Sequence, residues 1–193
     1  MNFRKRQLLD SLSVIPNIVT GIYQSYVFSP KPYVVSPLLY ALAMLVSNRY
    51  HYKNYKANAI DYKWLRYDLT FQMIATAFSS YFTAFGFDGL TTILALLYVS
   101  IQLDLRSTQQ RCYAYVLNAI ACFISAGTVL ELWLYWSINF LIFSINFIYP
   151  NTYTHTLFHL VANHICQLTW DYSFTPYGAH KSLGRIRRPH PDL

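Results

Sequence analysis

Apolar and polar positions alternate in blocks along this chain. Apolar runs of about 16–20 residues, the length a helix needs to cross a bilayer, are separated by short clusters that hold nearly all the charge. The pattern predicts a first helix over residues 8–28, ended by the helix-breaking prolines of Ser29-Pro30-Lys31-Pro32, and a second over 33–52. A third covers 65–87, Asp88-Gly89 makes a short turn, and a fourth covers 90–103. Residues 112–150 carry one charge, Glu131. As a single helix that run would reach nearly ~60 Å, about twice the hydrocarbon thickness, so it must fold back. The turn is placed near residues 127–131, giving a fifth and a sixth helix, and a seventh spans 152–171. The expected fold is all-α: an integral membrane bundle of seven helices over 1–171, followed by an irregular basic tail over 172–193.

Charge sets the expected orientation. Arg4, Lys5 and Arg6 precede the first helix, Arg49, Lys53, Lys56, Lys63 and Arg66 surround the second connection, and Arg106 and Arg111 the fourth. Only Lys31 falls on the other side. By the positive-inside rule the N-terminus is cytoplasmic and the chain is multi-pass. The tail, with Lys181, Arg185, Arg187 and Arg188, falls on the outer side and conflicts with that rule. The basic N-terminus resembles the start of a signal peptide, but Asp10, Pro16 and Asn17 follow with no small-residue cleavage site, so 8–28 is kept as a first span.

Composition agrees with the blocks: 54% hydrophobic, 18% aromatic and 12% charged, against roughly 25% charged in ordinary soluble domains. A disordered chain is excluded. The net charge of +7 is explained by the flanking clusters, and no repeated basic and aromatic face points to nucleic acid. Cys112, Cys122 and Cys166 have no CxxC pairing and suit buried free thiols. Tyr50, Trp170 and Tyr172 suit an interfacial aromatic belt, and Glu131 and Asp171 interfacial helix ends.

The candidate chemistry lies in a few polar groups. His155 and His159 are four residues apart, which puts both rings on one helical face. Ser47 and His51 repeat that spacing at the far end of the second helix, and Asp68 opens the third. In the seven-helix arrangement all five reach one level. Three histidines with a position left for water are the donor set of a catalytic zinc centre. A carboxylate beside it can take a proton, and a serine hydroxyl can stabilise a developing oxyanion. The bland alternatives are helix-packing histidines or a proton relay, a back-bonding Ser47, and an Asp68 paired with Arg66 or Lys63. His164 lies about 140° around the helix from His159 and is left out, and Asp61 is set aside as solvated.

These residues resemble a known group. Ser47, Tyr50 and His51, then Asp68 after Arg66 and Tyr67, then His155 and His159 within Tyr153-Thr-His155-Thr-Leu-Phe-His159, are similar to the superfamily of seven-span metal-dependent hydrolases that includes alkaline ceramidases and the progestin and adiponectin receptors. Ser11 to Pro16 and the Leu39-Tyr-Ala-Leu run resemble its myomaker and GPI-processing phospholipase branch. The resemblance covers about residues 8–171. It implies zinc held by His51, His155 and His159, with Ser47 and Asp68 in support, and cleavage of an amide or ester bond in a membrane lipid. The chain departs from the branch in lacking a large extracellular N-terminal region and a cysteine-rich C-terminus, and in its compact fifth and sixth helices. The alternative is a non-enzymatic membrane-remodelling, fusion-promoting or receptor-like protein whose metal is structural.

Overall fold

A computed structural model describes residues 2–29, 31–82, 86–127, 129–149 and 153–174. These residues form helices α1 (Phe3–Ser13), α2 (Ile15–Val27), α3 (Val35–Ala57), α4 (Tyr62–Tyr81), α5 (Gly86–Gln102), α6 (Thr108–Ser125), α7 (Leu130–Ile148) and α8 (Thr154–Phe174), with one 3-10 turn at Pro32–Val34. No strand occurs among the described residues. The all-α expectation holds, and the expected tail lies outside the described residues from 175 onward.

Helix ends follow local chemistry. The expected first helix is two, α1 and α2, meeting at Val14, because Pro16 has no N–H to continue the ladder. Helix α3 ends where Asn58 adopts a left-handed conformation, φ 53°. Asp61, expected to be solvated, caps α4 by accepting from the N–H groups of Lys63 and Trp64, each at 3.1 Å. The turn placed at Asp88-Gly89 sits earlier: Gly86 takes the positive φ, and Asp88 lies in the first turn of α5, where a carboxylate suits the helix dipole. Between α6 and α7 Gly127 makes the reversal at φ 62°.

The membrane assignment is corrected. Among the described residues, no helix is long and apolar enough to cross a membrane. Helices α1 and α2 have 11 and 13 residues, α5 has 17, and α3 and α4 carry Arg49, Lys53, Lys56, Lys63, Arg66 and Asp68 within their lengths. A seven-span integral membrane bundle is therefore not the fold, and the inside–outside assignment has no spans to rest on. Tyr50 and Trp170, expected in an interfacial belt, are instead buried in the core.

Interior positions are unusually polar. Gln7, Asp10, Ser13, Asn17, Ser47 and Asn54 are all buried, while Leu38, Leu42 and Leu45 of α3 face outward. Helix α3 packs on α1, α2 and α4, and α8 packs on α7, α1 and α2. Helix α1 thus touches both α3 and α8, the two helices that carry the histidines. Gly21 lets α2 approach α3 closely: a Cβ there would sit 2.8 Å from the Pro37 carbonyl oxygen.

Candidate metal centre

His155 and His159 stand one turn apart in the first part of α8, and His51 lies one turn beyond Ser47 in α3. The three rings meet. Their centroids are 5.1 Å (His51–His155), 5.2 Å (His51–His159) and 4.7 Å (His155–His159) apart. One nitrogen from each lies within 4.8 Å of the others. Such a triangle has a centre at most about 2.8 Å from each nitrogen, against Zn–N bonds of ~2.0–2.1 Å, so each ring needs to close by under about 1 Å. The cluster can hold a metal ion.

The electrostatics suit that role. His51 and His159 are 1% and 6% exposed, and His155 is half-buried. Burial, then the neighbouring imidazoles and Arg6, push His51 well below its ordinary range. His155 is pushed down to about 3 by burial and Arg6. His159 falls to about 3 through burial and His155, with Asp10 pulling the other way. All three are neutral at pH 7, so their lone pairs are available without proton competition.

The supporting groups come from α1, α3 and α4. His51 Nδ1 lies 2.9 Å from Gln7 Oε1, and its Nε2 is buried with no hydrogen-bond partner. His159 Nδ1 lies 2.9 Å from Ser13 Oγ. Thr156, between the two α8 histidines, donates to Asp10 Oδ1 at 2.8 Å and ties α8 to α1. A bare, buried nitrogen on one of three imidazoles whose donor atoms lie within 4.8 Å of one another is the observation that favours a cation over simple packing.

Asp68 is buried in α4, and its Oδ1 accepts from Gln72 Nε2 at 2.7 Å. Burial pushes its pKa up to about 7, with Gln72 and Ser47 pulling it back. Ser47 Oγ is close enough to exert that pull yet lacks hydrogen-bond geometry to any partner. Asp68, His155 and His159 line one small cavity, with about 30 Å³ open to the centres of water molecules, room for about two. Gln72, Asn118, Phe158 and His159 also line a larger, mostly apolar cavity of about 80 Å³ by the same measure, which runs to Tyr40 and Trp170. The two adjoin at His159.

The five residues singled out in the sequence thus lie on the three helices that enclose this centre, while His164 turns away against Tyr135, ring centroids 6.4 Å apart. Cys112, Cys122 and Cys166 are free thiols. Gln7, Asp10, Ser13 and Asn54 were missed. A signal existed: residues 10, 13 and 17 place polar groups at helical spacing inside an apolar run, with Gln7 one step before it in the same register, the criterion that picked out the histidine pair. No family model, curated protein or solved structure matches this chain.

Proposed function

We propose that the chain is a zinc-dependent hydrolase that cleaves an amide or ester bond next to an apolar acyl chain. One observation carries this reading: three neutral imidazoles converge, and two of them, His155 and His159, share with Asp68, whose pKa is raised to about 7, the wall of a water-sized cavity that adjoins an apolar one. Zinc supplies Lewis acidity at such a donor set, acidifying a water and polarising a carbonyl. The residues divide the remaining work. Asp68, titrating near neutrality, takes the proton as water attacks and returns it to the leaving nitrogen or oxygen. Gln72 holds the Asp68 carboxylate in place through its Nε2 donor. The hydroxyl of Ser47, drawn towards Asp68 in the resting site, would turn to donate to the oxyanion that develops on the carbonyl. The apolar cavity beyond His159 takes the acyl chain and excludes bulk water. The resemblance to metal-dependent lipid hydrolases implied the same donor set, although the seven-span fold of that group is not the fold found here.

The test compares zinc content and hydrolysis of a panel of N-acyl and O-acyl substrates for wild type, Asp68→Asn, Ser47→Ala and His155→Ala. Asp68→Asn should retain zinc and lose about 10²–10⁴ of the rate, the range for a general base, and His155→Ala should lose both. Wild type without zinc, or Asp68→Asn at full rate, contradicts the reading. A metal with a purely structural role predicts that both Asp68→Asn and Ser47→Ala are silent.

A further inference from the structure

We infer that α1 sets the imidazole tautomers of the centre, through two hydrogen-bond chains that each end on a backbone group; this rests on the metal-binding reading above. The first chain starts in the α3–α4 connection. The backbone N–H of Asp61 donates to Asn54 Oδ1 at 2.8 Å. A peptide N–H can only donate, so this carboxamide oxygen is fixed as the acceptor and Asn54 Nδ2 must face the other way. It donates to Gln7 Oε1 at 3.1 Å. The oxygen of Gln7 is thereby held towards His51, and an oxygen in that position can only accept. The proton in the 2.9 Å contact therefore belongs to His51 Nδ1, which leaves the lone pair on Nε2, the atom that has no partner.

The second chain is shorter. Ser13 Oγ donates its one proton to the backbone carbonyl oxygen of Asp10 at 2.8 Å, and a carbonyl can only accept. The lone pairs of Ser13 Oγ remain to accept from His159 Nδ1 at 2.9 Å, so Nε2 of this ring also carries the lone pair. Both chains run through α1, which, like α2, packs on α3 and α8 at once. Among the described residues no hydrogen bond to a ring nitrogen of His155 accompanies them. Two donor atoms are thus preset by the polypeptide backbone, while the third ring is left to turn as the site closes. Gln7, Ser13 and, at one remove, Asn54 are positioning residues, for an outer partner of a ligating histidine fixes its tautomer and ring orientation.

The proposal separates from general packing by what is measured. Nitrogen-15 spectra of the histidines in the metal-free full chain, assigned with His51 and His159 substitutions, should show both rings protonated at Nδ1. Zinc affinity, read by competition with a chelator, should fall about 10- to 100-fold in Gln7→Met and in Asn54→Leu, although Asn54 bonds to Gln7 rather than to an imidazole. Gln7→Glu, which keeps an acceptor that cannot donate, should hold the affinity at the wild-type level or above. Either ring protonated at Nε2 in the wild type overturns the inference. So does a wild-type affinity in Gln7→Met and Asn54→Leu when only their metal-free melting temperatures fall, because that is the result of a packing role. Wild type that shows both Nδ1–H tautomers yet takes up no zinc overturns the function and leaves the tautomer assignment standing.

Discussion

Replacing Asp68 by Asn in the metal-free protein should stabilise it, and the gain should depend on pH in one direction. The carboxyl is buried, and burial raises its pKa from 3.8 to about 7. Between those values the unfolded chain has released the proton and the folded chain still holds it. Folded protein then binds more protons than unfolded, so this group's contribution falls as pH rises through that window. A shift of about three units at about 1.4 kcal/mol each puts the full cost near 4 kcal/mol above pH 7, taken as an upper bound. Asn has nearly the same shape, its oxygen still accepts from Gln72 Nε2, and it does not titrate. The difference between Asp68→Asn and wild type should therefore be near zero at pH 4 and grow to about 2–4 kcal/mol at pH 8. For a chain of this size that is roughly 4–16 °C in melting temperature. Thermal or urea unfolding with chelator present, at half-unit steps from pH 4 to 8.5, measures it. A gain independent of pH, or a mutant less stable than wild type at pH 8, would refute the argument that desolvation governs this carboxylate.

Four further expectations rest on the same side chains and helix contacts. His159 falls from 6.5 to about 3 in the fold, so the unfolded state binds more protons between those values; stability should rise with pH across that window, and His159→Gln should flatten the acid limb of the stability curve. Because the three imidazoles are already neutral, zinc uptake at pH 7 should release close to no protons from them, so any dependence of the calorimetric heat on buffer ionisation enthalpy should come from Asp68 and the bound water and should shrink in Asp68→Asn. Gly21→Ala drives a Cβ to within 2.8 Å of the Pro37 carbonyl and the Ala41 side chain, and should cost about 1–3 kcal/mol in denaturant unfolding through separation of α2 from α3. Zinc in excess over its dissociation constant should raise the melting temperature, and His155→Ala should abolish that rise.

How far the sequence revealed these features depends on whether the information was local. The pairs Ser47 with His51 and His155 with His159 are one turn apart, and helical periodicity alone puts each pair on one face. Helix extents were also legible, because apolar runs continue on outward faces such as Leu38, Leu42 and Leu45. That same continuity misled the environment: summed hydropathy marks where a helix runs but not which side is buried. The meeting of α3 with α8 was argued from a common level in a bilayer, yet in the structure both helices pack on α1. Its contribution went unread because Asp10 and Ser13 were averaged into the first apolar run and Gln7 was left outside it, with the basic N-terminus. The break at Val14 was signalled by Pro16, and the start of α4 by Asp61 in the N-cap position before it. What lay beyond sequence reading was the direction of each hydrogen bond, which requires the partners' positions in space.

The central claim is that His51, His155 and His159 share one cation. X-ray absorption at the zinc edge of the full-length protein, isolated with zinc and freed of excess metal, tests it most directly. One zinc per chain, with three imidazole nitrogens at ~2.0 Å and one oxygen, and with one imidazole lost in His51→Ala, is the predicted result. A first shell containing sulfur from Cys112, Cys122 or Cys166, or a spectrum unchanged by His51→Ala, would contradict it.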